Sequence, residues 1–328
     1  MERGVVELGE LFDPRALLVT GKGGVGKSTV AAALAVAAVA TGRRTCLVEV
    51  EGRQTMSRIF GTTPWGFSEQ EFRPGLFGMS IDPEASLQEY LDLFYGAGRL
   101  SKYVVGSAAV EFATTAAPGI KDVLLIGKVK ELERRRQPDG RFSYDLVVVD
   151  APPTGRIVNF LQAPEATTEL VGMGPIRQQA QSVVDMLLDP ERIHLQLVTL
   201  LEEMPVEETV RGAAALRELG MTLGPVLVNR VRPPLGDADV AKALAELEAD
   251  ALRTHAATAG VSLDEASAEA LIGRASRHLQ RLDLEQRLRE RLAAKVHLPT
   301  VELPFVASRT FGESEITELA ELLEGAAR

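Results

Sequence analysis

Short apolar runs alternate along the chain with longer segments of helical character. Val, Leu and Ile dominate the runs, and several runs are nearly continuous rather than alternating with polar residues. Continuous runs are typical of strands that are buried on both faces of a parallel sheet. The pattern therefore predicts an α/β fold, with a mostly parallel, twisted sheet flanked by helices. The predicted strands are residues 16–20, 45–50, 144–149, 194–200, 224–231 and 297–303.

Two stretches interrupt this alternation. We predict that residues 55–136 form a mainly helical subdomain that is inserted into the sheet domain. Residues 235–295 predict a helical segment before the last strand. In its first part an alanine-rich helix is expected to end at Gly260, and in its second part apolar residues between 271 and 282 recur at spacings of four and three. With these insertions, residues 1–328 are expected to form a single domain.

Composition and charge narrow the class of protein. Of the 328 residues, 45% are hydrophobic and 25% are charged, which is typical of a folded globular protein. The net charge of −10 disfavours broad binding to nucleic acid or anionic lipid. No signal peptide or membrane-spanning run is recognisable, so we expect a cytoplasmic location and no transmembrane segment. A lone cysteine, Cys46, excludes internal disulfides and cysteine-based zinc sites.

The strongest chemical signal is a glycine-rich loop between the first predicted strand and an alanine-rich helix. This strand–loop–helix context is that of a Walker A loop, in which backbone N–H groups and the helix N-terminus surround phosphate oxygens. Lys27 is predicted to neutralise the β- and γ-phosphates, and the Ser28 hydroxyl to ligate Mg²⁺. The candidate nucleotide-binding residues are Gly21, Lys22, Gly23, Gly24, Val25, Gly26, Lys27, Ser28 and Thr29.

A second motif lies at the end of the third predicted strand. The run from Tyr144 to Val149 is followed by Asp150, a pattern typical of Walker B strands. A hard cation at the edge of a sheet requires an anionic oxygen, so Asp150 is predicted to hold Mg²⁺ together with Ser28. The expected cofactors are therefore ATP and Mg²⁺. An aspartate that merely ends a strand in solvent remains the alternative.

Longer motifs carry a family resemblance. Lys22 gives the loop the deviant Walker A form that MinD, ParA, the arsenite-pump ATPase and the nitrogenase iron protein share. Residues 151–164, APPTGRIVNFLQAP, resemble the switch segment of the arsenite-pump (ArsA) and tail-anchored-protein targeting (GET-type) ATPase family. The segments 118–120, 198–209 and 226–231 resemble further segments of that family. The resemblance covers most of the chain, from about residue 15 to 310.

This resemblance implies a P-loop ATPase that works as a dimer, with roles for individual residues. Lys22 would reach across the dimer to the partner's phosphates. Asn229 would recognise adenine, and a loop at Pro304 and Phe305 would close over the base. Glu51 stands where the family has the aspartate that orients the attacking water, and its additional methylene predicts slow hydrolysis. The candidate catalytic residues are Lys22, Lys27 and Glu51.

Partners are less defined than the nucleotide site. The resemblance implies a helical face that binds a protein partner or a hydrophobic segment, and it leaves a homodimer and a heterodimer with a paralogue both open. The stretch between Pro164 and Ile193 is shorter than in tail-anchor targeting members, so a client groove would be reduced or built differently. No zinc and no nucleic acid are expected. A catalytically weak regulatory subunit that pairs with an active paralogue is one alternative, and a MinD/ParA-like nucleotide switch is another.

Overall fold

A computed structural model describes residues 11–50, 52–95, 119–170, 175–233 and 238–326. Within them, one sheet has the strand order β3-β4-β2-β5-β1-β6-β7-β8. Neighbouring strands are parallel, except that β3 runs antiparallel to β4. The strands are β1 Ala16–Gly21, β2 Thr45–Val50, β3 Gln70–Arg73, β4 Leu76–Ile81, β5 Leu146–Asp150, β6 Ile193–Thr199, β7 Val226–Val231 and β8 Thr300–Pro304. The predicted α/β class is confirmed.

Helices cover both faces of this sheet. They are α1 Lys27–Ala40, α2 Thr55–Ile59, α3 Pro83–Tyr95, α4 Ile120–Arg134, α5 Thr154–Leu170, α6 Pro175–Leu187, α7 Glu203–Glu218, α8 Ala238–Ala245, α9 Ala249–Thr258, α10 Glu265–Val296 and α11 Glu313–Ala326. Leu17 and Val19 of β1 pack with α1 and α11 on one face. Ala16 and Leu18 pack with α4 to α7 and the end of α10 on the other face. Strands buried on both sides explain the continuous apolar runs in the sequence.

The segment 55–136 contains more sheet than the sequence predicted. Helices α2, α3 and α4 lie in it, but so do β3 and β4, and β4 pairs with β2 in the main sheet. The strand was missed because Gly78 interrupts its apolar pattern. The indole of Trp65 takes the space beside Gly78, and a Cβ there would lie 2.5 Å from the Trp65 ring.

A stability prediction follows from this contact. We expect Gly78→Ala to lower the free energy of unfolding by about 1–3 kcal/mol, because Trp65 is buried against Phe60 and Phe72 and cannot easily retreat. Urea unfolding followed by the fluorescence of Trp65, the chain's only tryptophan, measures this. The control is Gly66→Ala, since nothing lies within 4 Å of a Cβ at Gly66. Equal stability of the two variants would contradict the prediction.

The predicted helical segment 235–295 is divided differently from expectation. The alanine-rich part is two helices, α8 and α9, rather than one, because the chain extends at Glu248 before α9 begins. Gly260 follows the end of α9 with a φ of 77°, a left-handed conformation that suits glycine. Helix α10 continues to Val296, and His297 ends it in a left-handed conformation, so β8 starts later than predicted.

Candidate functional site

The candidate site lies where several parallel strands end. Because β1, β2, β5 and β7 run in the same direction, their carboxyl ends meet at one edge of the sheet, which is where α/β proteins bind ligands. The glycine-rich loop leaves β1 at Gly21 and enters α1 at Lys27. Gly26 precedes α1 with a φ of 91° and has no side chain to cap the helix. The first N–H groups of α1 are therefore suited to bind an anion.

Lys27 and Ser28 open α1 beside the end of β5. The Lys27 ammonium is largely buried and donates to the Lys22 carbonyl oxygen at 3.3 Å. Burial lowers the pKa of Lys27, and the nearby Asp150 opposes this shift. The Ser28 hydroxyl donates to Asp150 Oδ2 at 2.6 Å. The structure thus brings together the two residues that the sequence assigned to Mg²⁺.

Asp150 has a second carboxylate beside it. Glu49 on β2 is paired in register with Asp150 on β5, and it is fully buried. Burial raises the pKa of Asp150 above its ordinary value, and Glu49 adds to this, whereas Ser28 and Lys27 oppose it. Asp150 Oδ1 and Glu49 Oε2 are both buried without a hydrogen-bond partner. Such oxygens favour a cation, and carboxylates with a hydroxyl are ligands that fit Mg²⁺.

Glu49 was missed in the sequence analysis. A signal was available, because a glutamate in the apolar strand TCLVEV is unexpected unless it is paired or bound to a ligand. Glu49 Oε1 accepts a hydrogen bond from the Thr55 backbone N–H at 2.6 Å, at the start of α2. Glu51, the carboxylate predicted to orient the attacking water, lies outside the described residues, and its role remains a prediction.

Lys22 is held by a residue that the sequence analysis did not single out. Its ammonium donates to Glu208 Oε2 at 2.9 Å, and the Thr154 hydroxyl donates to Glu208 Oε1. Burial alone would raise the pKa of Glu208, but the hydrogen bonds from Thr154 and Lys22 outweigh it and hold that pKa below its ordinary value. Glu208 belongs to α7 and Thr154 begins α5. Through Glu208, the loop lysine is therefore linked to Thr154, which lies in the switch-like segment 151–164 and begins α5.

Two of the three residues predicted for the base border a cavity of about 130 Å³. Asn229 and Phe305 line it, together with Arg232, whose guanidinium lies 5.3 Å from the centre of the Phe305 ring. Pro304 ends β8 opposite Val231. Beyond lining the cavity, Asn229 Nδ2 donates to the Val25 carbonyl oxygen at 2.9 Å, so this amide also supports the glycine-rich loop.

Two further residues have clear environments. Cys46 is buried within β2, as expected for a core residue, and burial raises the pKa of its thiol. Arg156, within the switch-like segment 151–164, donates to Asp122 Oδ1 on α4 at 3.0 Å. This bond ties the first turn of α5 to α4.

Comparison with known proteins decides the family. The sequence model of the anion-transporting ATPases matches residues 14–182 and 172–253. ATPase BagA of Mycobacterium tuberculosis is 41% identical over 321 residues, which cover 96% of this chain and 93% of that protein. The chain belongs to the anion-transporting ATPase family.

More distant relatives connect this family member to both branches that its motifs resemble. The arsenical pump-driving ATPase of Escherichia coli is 29% identical over 263 residues, covering 73% of this chain and 43% of that protein. ATPase GET3 of Kluyveromyces lactis is 26% identical over 254 residues, covering 66% of this chain and 72% of that protein. The resemblance to the ArsA and GET-type family is thereby confirmed, and membership in it implies nucleotide binding. No helix among the described residues of this family member is long and apolar enough to cross a bilayer.

Proposed function

We propose that this family member binds ATP with Mg²⁺ at residues 21–29, hydrolyses it slowly, and uses the nucleotide state to control a dimer. One observation carries the proposal. The Ser28 hydroxyl lies 2.6 Å from Asp150 Oδ2 beside the N-terminus of α1, so a Walker A residue and a Walker B residue already meet. Titration calorimetry of ATP with the full chain, with and without Mg²⁺, tests it. Absence of binding in both conditions would overturn the proposal.

Ser28 and Asp150 are the residues that would hold the metal. Mg²⁺ would neutralise charge on the β- and γ-phosphate oxygens. Lys27 would bind the same phosphates, and the free N–H groups of α1 would orient them. Asn229 would keep the loop in place through Val25 while lining the base cavity. In this arrangement the chain's own residues do the positioning, which supplies most of the catalysis in phosphoryl transfer.

Lys22 connects the nucleotide site to dimerisation in this proposal. In the structure it is bound within its own chain to Glu208. To contact a partner's phosphate, Lys22 has to leave Glu208. Glu208 would then keep only its hydrogen bond from Thr154. Dimerisation would thus change the surroundings of Thr154, the first residue of α5. A small apolar cluster of Val123, Ala163 and Ala180 joins α4, α5 and α6, so movement of α5 would reach the helical face proposed to bind a partner.

A pair of variants tests the role of Lys22. With Mg²⁺ and a non-hydrolysable ATP analogue, we expect the wild type to form a dimer and Lys22→Ala to remain monomeric while still binding nucleotide. Glu208→Gln should strengthen dimerisation up to about fivefold, because breaking a partly exposed ion pair costs at most about 1 kcal/mol. Analytical ultracentrifugation over a concentration series measures both effects. Lys242→Ala, on α8, is the matched control for loss of a lysine.

Two outcomes would contradict the proposed role of Lys22 in dimerisation. A wild-type chain that stays monomeric in every nucleotide state, alone and with a co-expressed paralogue, would remove the dimer. Dimerisation of Lys22→Ala equal to that of the wild type would leave the dimer but exclude Lys22 from its interface.

A catalytically weak subunit that pairs with an active paralogue is the second candidate. The glutamate at position 51 favours it, because the family's aspartate is one methylene shorter. The two candidates differ in the turnover of the purified single chain. Measurable phosphate release by the chain alone supports the first candidate, and release only after adding a paralogue supports the second.

A further inference from the structure

Glu49 occupies a position that a core residue or a simple helix cap does not explain. It is fully buried on β2, and one carboxylate oxygen, Oε2, has no hydrogen-bond partner. The residue paired with it on β5 is Asp150, whose Oδ1 is also buried without a partner. An unpaired buried carboxylate oxygen is costly, and two of them on neighbouring strands are more so. Lys27 and Arg53 act on Asp150 electrostatically, but neither of the two oxygens accepts a hydrogen bond, so both remain suited to a cation.

Register and packing put both carboxylates on the same side of the sheet. Leu47 of β2 and Val148 of β5 pack on the α1 face, and side chains two residues further along a strand point the same way. Glu49 and Asp150 therefore face α1, on backbones about 4.8 Å apart. Ser28, in the first turn of α1, already contacts Asp150. The unpartnered oxygens thus lie on the side of the sheet where the proposed metal ligands are.

The other oxygen of Glu49 has a different task. Oε1 accepts the Thr55 backbone N–H at 2.6 Å and so binds the N-terminus of α2. The residue that precedes α2, Gln54, has a φ of 56°, and it gives that helix no side-chain cap. Glu49 therefore supplies the side-chain acceptor at the start of α2.

We infer that Glu49 is a positioning residue that couples Mg²⁺ to the segment after β2. Its Oε2 lies on the side of the sheet where Ser28 and Asp150 would hold the metal, and its Oε1 holds the start of α2. A cation held there would fix the placement of Glu49, and Glu49 would in turn fix the start of α2. This inference rests on the proposed function, because it requires the metal at Ser28 and Asp150.

The test compares ADP binding to the full chain in excess EDTA and in excess Mg²⁺, by titration calorimetry. We expect Glu49→Gln to bind ADP in EDTA as the wild type does, because Glu49 is not assigned to the phosphates. The gain from Mg²⁺ is the ratio of ADP affinity in Mg²⁺ to ADP affinity in EDTA. In Glu49→Gln this ratio should be about 10-fold smaller than in the wild type, as is typical when a residue supporting a metal site is removed. An undiminished gain in Glu49→Gln would overturn the inference while leaving the proposed function intact. Failure of the wild type to bind ADP in either buffer would remove both.

Glu71→Gln is the matched control. Glu71 is a glutamate of β3 that also accepts a backbone N–H, from Gly75 at 2.9 Å, but it lies on the edge strand of the sheet. In Glu71→Gln, Mg²⁺ should raise ADP affinity as much as it does in the wild type. Thermal melting without nucleotide, in EDTA, checks that both variants fold.

A measurement on the wild type alone decides the case if Glu49→Gln does not fold. At saturating ADP, adding Mg²⁺ should slow hydrogen exchange of the amides of α2 about 10-fold, because Glu49 then holds Thr55 more firmly. The amides of α9, which contributes no residue to the candidate site, serve as an internal reference and should not change. Unchanged exchange in α2 would overturn the inference.

Discussion

Lys27→Ala is expected to weaken ATP binding by at least about 100-fold, because hydrogen bonds from a charged group contribute about 1.5–3 kcal/mol each and Lys27 would make two to phosphate oxygens. The ammonium is already placed for this task. It is largely buried at the start of α1, and among the described residues it donates one hydrogen bond, to the Lys22 carbonyl oxygen. An ammonium has three N–H groups, so two remain for a ligand. Titration calorimetry with ATP and Mg²⁺ measures the change.

The control for Lys27→Ala is Lys22→Ala, five residues earlier in the same loop. It removes the same charge and should keep ATP affinity within a few-fold of the wild type, because Lys22 is bound to Glu208 within its own chain. Thermal melting without nucleotide checks that both variants fold. Equal ATP affinity of Lys27→Ala and the wild type would contradict the assignment of residues 21–29 as the phosphate loop.

Glu51→Gln is expected to lower steady-state phosphate release by about 100-fold or more, while ATP affinity stays unchanged. A carboxylate that orients the attacking water typically contributes about 10²–10⁴-fold to the rate, and an amide cannot take a proton from that water. The wild-type rate should itself be slow, because a misplacement of about 1 Å costs on the order of 100-fold when positioning supplies most of the catalysis. Gly52, with a φ of 61°, allows the backbone some adjustment.

Glu51→Gln and Glu49→Gln make a contrasting pair of neighbouring carboxylates. Glu51→Gln is expected to lose turnover while Mg²⁺ still raises its ADP affinity as it does in the wild type. Glu49→Gln should lose most of this increase in ADP affinity. The calorimetry and phosphate release of both variants distinguish the two roles. A wild-type rate of phosphate release in Glu51→Gln would mean that another group, or a partner chain, orients the water.

Much of the sheet could be predicted because its strands are buried on both faces. The six predicted strands are all present, since uninterrupted apolar runs such as that of β5 have few other uses in a globular protein. Strand β3 escaped prediction because its four residues, QEFR, form no apolar run, and β4 because Gly78 interrupts its apolar pattern. Only the packing of Trp65 against Gly78 shows why glycine is needed there. The break between α8 and α9 likewise has no glycine or proline to announce it.

The candidate site, like the sheet, could be predicted from the sequence only in part. The glycine-rich loop and Asp150 are local motifs, so the sequence alone revealed them. Glu208 contacts Lys22 from 186 residues away, and no spacing rule relates those positions. The pairing of Glu49 with Asp150 depends on the register of two strands that are separated by most of the first half of the chain.

By itself, the sequence determined the α/β class, the family resemblance, the phosphate loop and the strand that ends at Asp150. These features are encoded over short distances, by burial periodicity and by residue types that phosphate binding requires. Only the tertiary structure decided that Glu49 faces the same side as Asp150, that Glu208 holds Lys22, and that Asn229 supports the loop at Val25. The reason is physical: long crossover connections bring parallel strands together, and the register between such strands is set by packing of the whole sheet rather than by the residues of either strand.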